Sequence, residues 1–465
     1  MSPEPLAYSN SHHSLVVQVL CGDVLAREIS LDIHAADEML GFFLHSQGRD
    51  LAQAVAMYLE SGRRIWSTER QILAWRLGSP PWKRRILDFA SGYGRVTRHI
   101  VAEVAPENVW VSDIYADGVA FQERHLGVHG IVSITEPERF PCDLTFDAIL
   151  VSSLFTHLAE ARFVSWLRRL GELVAPGGLL LFSVHDMSLR RGETGSTETG
   201  IVFQEISESG SLEIQEYGTS WVTEPFVRAA VERAIGPYPV LRVPRGLASF
   251  QDLYVVVKES GAGAADLFSS LRIEREADGF LEHCSLDGSR RNLRLSGWIA
   301  DRVMGRPPKE VRIRIDGQDA LSCRDLAPRP DVAGTFAADP VDIVGWQATL
   351  ELPQGAGTNS SQLSVHAVSQ SDEELRLYSG SIAEACIRSA QLDIASLQRE
   401  LARRDADHQQ EIEHREAAHA SELAGRQQQI EAMARRVQAM EASRFWKARN
   451  VWFGFKRAVG LTTER

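Results

Sequence analysis

Residues 86–97, Ile-Leu-Asp-Phe-Ala-Ser-Gly-Tyr-Gly-Arg-Val-Thr, decide the fold. The apolar run after Arg85 predicts a buried parallel strand, closed by an acid, Asp88, and a small-residue loop, Ala90-Ser91-Gly92-Tyr93-Gly94. Val96, Ile100 and Val104 then recur at helical spacing. Small residues at such a corner let the backbone approach a ligand and aim free N–H groups at it. Strand, glycine loop and helix in that order form a nucleotide cradle in an open α/β sheet. Asp88 narrows the ligand, because a carboxylate there repels a pyrophosphate and attracts a cation. Alanine disfavours positive φ, so the loop is expected to pass Ala90 with φ negative.

Working outward, Asn108–Asp113 reads as a second strand ending in a carboxylate. Asp113 stands 19 residues beyond Gly94, where an acid accepts hydrogen bonds from ribose hydroxyls. Phe146–Ser153 is a further buried-strand pattern, followed by Leu154-Phe155-Thr156-His157-Leu158. A helix over roughly 159–174 is expected to stop at Ala175-Pro176-Gly177-Gly178, with Leu179–His185 re-entering the sheet. Residues 34–76 carry helical spacing.

With these marks in this order, residues 30–258 resemble the class I S-adenosylmethionine-dependent methyltransferases, down to a final strand at Gln251–Val257. The family loop usually has glycine where Ala90 stands. A nicotinamide-binding Rossmann domain is the rival, but the third glycine of that fingerprint is missing and it gives no reason for the Pro-Gly-Gly corner. The resemblance implies a Rossmann-like sheet under a helical cap, with S-adenosylmethionine as cofactor. It implies that Asp88, Ala90, Ser91, Gly92 and Gly94 hold the methionine end, Asp113 the ribose and Ile114 the adenine face, with Ser153 and Leu154 also lining the cofactor.

The sulfonium carbon of that cofactor is already electrophilic, so the protein must align an acceptor and take a proton if the acceptor is a hydroxyl. Candidate bases are His157, at the mouth of the fourth strand, and His185 or Asp186, at the end of the fifth. The rival reading of His157 is a helix-capping or cofactor-side residue. An inserted hairpin, a strand from Ile201 to Ile206 returning over Leu212–Tyr217, overhangs the carboxyl ends of the strands. Tyr217 and Trp221 are its candidate acceptor platforms, with core packing as the other reading.

A chain of 465 residues exceeds one core, so several domains are expected. The segments are 1–80, an N-terminal segment and helical cap; 81–260, the cofactor domain; 261–277, a linker; 278–384; 385–442; and 443–465. Residues 278–384 alternate with period two between turn signals, which predicts an antiparallel β-sandwich. Ser296-Gly297-Trp298, Ile315-Asp316-Gly317 and Gly345-Trp346 resemble a module found beside bacterial surface-glycan enzymes, for carbohydrate binding or for spacing. Residues 385–442 carry two heptad registers joined by a break, which predicts a coiled coil and a homo-oligomer. Residues 443–457 contain no acid and mix aromatics with cations. They suit either an anionic membrane surface or a partner such as a glycosyltransferase, whose tails they resemble.

The net charge of −12 argues against nucleic acid as partner, and five scattered cysteines without a Cys/His cluster predict reduced thiols, a cytosolic setting and no metal. No apolar run reaches a membrane span and the basic n-region of a signal peptide is missing, so the expected location is cytoplasmic, at most peripheral to the membrane. The expected activity is O-methylation of a bacterial cell-surface polysaccharide or its lipid-linked precursor. A small-molecule methyltransferase and a non-catalytic scaffold are the alternatives.

Overall fold

The computed structural model describes residues 29–46, 51–80, 82–190, 199–205, 217–259, 264–300, 306–333 and 343–460. Helices α1 (Glu38–Ser46) and α2 (Leu51–Leu77) precede the sheet. Strands β1 (Ile86–Phe89), β2 (Val109–Asp113), β3 (His129–Val132), β4 (Phe146–Val151) and β5 (Val174–Asp186) run parallel in the order β3-β2-β1-β4-β5. Helices α3 (Thr97–Ile100), α4 (Ala116–Leu126) and α5 (Glu160–Leu173) lie between them. All four residues of β1 are buried, which explains its unbroken apolar run.

Beyond β5 come β6 (Ile201–Gln204), β7 (Thr219–Val222), α6 (Glu224–Ala234), β8 (Val240–Leu247) and β9 (Gln251–Val257). β9 pairs antiparallel with β5 and β8 antiparallel with β9. β7 adds in parallel to the far end of β5, His185 opposite Trp221, and β6 pairs with β7. Strand order reverses between β1 and β4, so a ligand crevice opens at their carboxyl ends.

Three expectations differ in detail. The helix after the glycine loop has only four residues, Thr97–Ile100. The corner Ala175–Gly178 belongs to β5, with Gly177 in the left-handed region at φ 76°. Of the hairpin, β6 takes the place of the first strand, its partner β7 lies at Thr219–Val222 and not at Leu212–Tyr217, and 206–216 lie outside the described residues. The expected linker glycines 261 and 263 also lie outside, and α7 (Ala264–Leu267) follows.

Helix α2 meets the cofactor domain through a glycine. A Cβ on Gly62 would sit 2.1 Å from the carbonyl oxygen of Arg95, so only glycine permits this backbone approach. Seven residues on, and therefore on the same face, stands Glu69, amid the buried Ile65, Trp66, Ile72 and Leu73.

Eight strands follow: β10 (Asp278–Leu286), β11 (Asn292–Ala300), β12 (Glu310–Ile315), β13 (Gln318–Cys323), β14 (Leu326–Pro328), β15 (Ile343–Glu351), β16 (Gln362–Val368) and β17 (Glu374–Ser381). They form two four-stranded sheets, β10-β11-β15-β14 and β13-β12-β16-β17. Leu295 and Trp346 of one share a core with Ile313 and Val365 of the other. A short helix, α8 (Pro330–Ala333), sits between β14 and β15. The sandwich is clasped to α2 by ion pairs from Arg63 to Glu276 (2.6 Å) and from Arg64 to Asp278 (2.6 Å). Arg63, Arg64 and Arg376 outweigh the cost of burial and hold the Glu276 carboxyl down at about 2.

Helix α9 (Ile382–Ala442) begins in the sandwich core through Ile382 and Ala385. From Ile394 onward the described residues form a separate unit. There α9 is uninterrupted where the break between heptad registers was expected, and Leu397, Leu401, Leu423, Ile430 and Val437 are exposed. Helix α10 (Arg444–Ala458) starts at Ser443, whose Oγ accepts the Trp446 N–H. Among the described residues, no helix is long and apolar enough to cross a membrane.

Candidate active site

The glycine loop leaves β1 through three left-handed residues, Ala90 (φ 58°), Gly92 (φ 58°) and Gly94 (φ 84°). The expectation of negative φ at Ala90 is therefore corrected. The loop keeps the glycine geometry and an alanine bears it, at a cost of about 1–2 kcal/mol. Hydrogen bonds fix the turn: Ser91 N–H donates to the Ser112 carbonyl (3.1 Å) and Gly92 N–H to Asp113 Oδ2 (2.7 Å). A Cβ on Gly92 would meet nothing within 4 Å, so open space faces the loop. The two aromatic residues of this stretch are engaged elsewhere. Phe89 packs on Phe140 and Trp166, and Tyr93 stacks on His34 and donates to Asp117 (2.7 Å).

Asp113 also accepts the Tyr115 N–H (3.0 Å) at the end of β2. Burial raises its carboxyl, against the backbone N–H donors that lower it. Each carboxylate oxygen can accept a further hydrogen bond, and the neighbouring Ile114 is half-buried. Gln122 of α4 supports the loop, donating to Ser91 Oγ and the Gly92 carbonyl at 2.9 Å each.

Asp88, the acid in β1, does not stand alone. It is buried against Thr97 Oγ1 (2.7 Å), and burial pushes its carboxyl up to about 7. Across the β1–β4 switch point, Ser152 Oγ donates to Glu69 Oε1 (3.1 Å), while Glu69 Oε2 is buried without a hydrogen-bond partner. Burial and then the neighbouring Asp88 push Glu69 up to about 8. Arg95 is directed at Ser61 Oγ (3.0 Å).

After β4, Ser153 is strained at φ 72°. Its N–H donates to Ser183 Oγ (2.8 Å) and its hydroxyl contacts Gln251 (3.1 Å). Leu154 packs onto the apolar core and opens a single 3₁₀ turn that ends before His157.

The structure gathers His157, His185, Tyr217 and Trp221 at the end of β5. Tyr217 stacks on His157 with centroids 4.4 Å apart, and His185 lies 6.5 Å from His157 and 6.3 Å from Trp221. Phe250, which the sequence gave no reason to single out, closes on His185 at 5.3 Å. His157 Nδ1 lies 2.7 Å from the Gly218 carbonyl. A carbonyl only accepts, so Nδ1 carries the hydrogen and the neutral ring has its lone pair on Nε2. Burial, then the nearby His157, hold His185 down at about 4.

Asp186 stands apart from this group, and its assignment as a base is corrected. Oδ2 is ion-paired to Arg242 (2.8 Å) and Oδ1 accepts the Ser188 N–H (2.9 Å). Arg242 also pairs with Asp252 (2.6 Å) and Glu224 (2.9 Å), so Asp186 is a fixed counter-ion. Among the described residues, no group of three or more His, Cys, Asp or Glu side chains is placed to hold a metal.

Residues 87–180 match a family model described as "Methyltransferase domain". This segment is similar to a methyltransferase domain. No curated protein matches the chain. Solved structures similar to it include DhpI in complex with S-adenosylhomocysteine (SAH), at 15% identity over 48% of this chain and 96% of that one, TM-score 0.32. The glycopeptide N-methyltransferase MtfA is 18% identical over 41% and 89%, TM-score 0.32. The Burkholderia thailandensis 1,6-didemethyltoxoflavin-N1-methyltransferase is 20% identical over 48% and 89%, TM-score 0.31.

A methyltransferase domain implies S-adenosylmethionine as cofactor, and the donor set fits it. The open space at Gly92 and the acceptor oxygens of Asp113 are the groups that would take the nucleoside and its ribose. The orphaned Glu69 oxygen, with Asp88 across the switch point, would suit the amino-acid end.

Proposed function

We propose that this chain methylates a hydroxyl of a saccharide, the acceptor being a bacterial cell-surface polysaccharide or its lipid-linked precursor. When bound, S-adenosylmethionine supplies an electrophilic methyl group. Asp113 and the Gly92 loop position the nucleoside beside the β1–β4 crevice. His157 takes the acceptor's hydroxyl proton at Nε2, with Nδ1–H held on the Gly218 carbonyl. That hydrogen bond is the single observation carrying the reading, because it fixes the tautomer a base requires. His185, kept neutral by burial, adds no competing positive charge near the imidazolium that forms. The rings of Tyr217, Trp221 and Phe250 offer flat faces to the C–H surfaces of a sugar.

The exposed apolar positions of α9 suit a homo-oligomeric coiled coil, and α10 suits an anionic membrane face that brings the enzyme to lipid-linked acceptors. The test is transfer of labelled methyl from S-adenosylmethionine to lipid-linked glycan fractions. Label should enter the saccharide with the native chain and fall at least ~100-fold with His157→Ala. Label confined to small metabolites would remove the glycan acceptor, and failure to bind SAH would remove methyl transfer altogether.

A further inference from the structure

We propose that Glu69, delivered by α2 to the β1–β4 switch point, is a cofactor-binding carboxyl that works with Asp88, and that the pair exchanges a proton for the cofactor's α-ammonium group. This rests on the reading of the crevice as a S-adenosylmethionine site and deepens it.

Hydrogen-bond accounting carries the argument. Gln122 Nε2 donates to two acceptors, Ser91 Oγ and the Gly92 carbonyl, so Gln122 Oε1 must face Thr97. Reversing that amide would set its oxygen against the Gly92 carbonyl. Thr97 Oγ1 has one proton and two close oxygens, Gln122 Oε1 and Asp88 Oδ2, each at 2.7 Å. Given to Gln122, which cannot donate from Oε1, that proton leaves Thr97 to accept from Asp88. Asp88 must then carry a proton of its own.

Glu69 presents the same need in another form. One oxygen accepts from Ser152 and the other is buried with no donor. An ionised carboxylate left so would be costly, so this pairing favours the acid form. The titratable groups around the pair are Arg95 in the loop, Tyr58 of α2 with Asp37 before α1, and Asp113 on β2. Tyr58 donates to Asp37 (2.6 Å), and Arg95 lies within electrostatic range of both carboxyls. An arriving ammonium supplies the missing donors and stabilises the ionised form, and the displaced proton passes to solvent. Burial sets Glu69 near 8 and Asp88 near 7, so the exchange falls around neutrality.

The experiment is calorimetry of the full chain with SAH at pH 7 in buffers of differing ionisation enthalpy. The slope should report about half to one proton released per SAH bound. 5′-Methylthioadenosine, which lacks the amino-acid end, should bind with no proton released. Glu69→Gln should reduce the release with SAH and weaken its binding ~10-fold or more. SAH binding with a flat buffer plot, or an equal release with methylthioadenosine, would overturn the exchange without touching the cofactor assignment. Complete lack of SAH binding would instead sink the cofactor reading. The two ligands compared on the native chain need no variant to fold.

Discussion

Gly62→Ala and Gly41→Ala make a matched pair. Both glycines lie in cap helices, and alanine gains about 1 kcal/mol of helix propensity at each. Nothing lies within 4 Å of a Cβ at position 41, so Gly41→Ala should keep that gain and raise Tm by ~2–4 °C. At position 62 the new methyl lands 2.1 Å from the Arg95 carbonyl and 3.2 Å from the His99 ring. An unbonded C···O contact needs roughly 3.3 Å or more, so helix or loop must move by about 1 Å. The obstacle is backbone, which has no rotamer to yield, and overpacking of this kind costs ~1–3 kcal/mol or more. The net expectation is a loss of up to ~2 kcal/mol and a fall in Tm of ~2–8 °C. Because Glu69 shares the face of Gly62, the displaced helix also withdraws its carboxyl, and SAH should bind ~10-fold more weakly, worth about 1.4 kcal/mol. Thermal unfolding and calorimetry of the two variants give both readouts. Equal stabilisation by the two alanines, with SAH affinity intact, would refute the close approach of α2 to the loop.

Ala90→Gly should stabilise the protein by ~0.5–1 kcal/mol, since relief of left-handed strain exceeds the added chain entropy, and chemical denaturation should show it. The unliganded protein should lose stability as pH rises from about 6.5 to 8. Glu69 and Asp88 have folded values above their unfolded ones, so their contribution is complete below about 4 and disappears as pH passes through about 7 and 8. His185 has the opposite sign, a depressed value that costs stability only below about 6.5, so it does not mask this window. Glu69→Gln should flatten the slope, and an unaltered slope in differential scanning measurements would contradict the assignment. For α10, the full chain should float with vesicles containing phosphatidylserine but not with neutral ones. Arg444, Lys447, Arg449, Lys456 and Arg457 contribute up to ~1 kcal/mol each. Added salt should weaken that binding, and Trp452→Glu should abolish it.

The parallel strands and glycine loop were legible because burial on both faces imposes apolar runs, and a tight loop beside a ligand imposes small residues. The φ of Ala90 was misread because residue preference is weaker than the hydrogen bonds from Ser91 and Gly92 that set the turn. Asp186 was misjudged because its partner Arg242 is 56 residues away, beyond any local pattern. Glu69 did leave a signal, a lone acid within the apolar stripe Ile65, Trp66, Ile72 and Leu73. Its meaning required the tertiary contact with Ser152. The stripe of α9 was legible by spacing alone, since nothing in the chain covers it among the described residues.

The clasp of Arg63 and Arg64 on Glu276 and Asp278 gives α2 two attachments on one rigid rod. Its middle turns hold the sandwich through Arg63 and Arg64 and meet the glycine loop and Ser152 through Gly62 and Glu69. A tilt of α2 against the sandwich would therefore carry Gly62 and Glu69 with it, because all four residues ride on one helix.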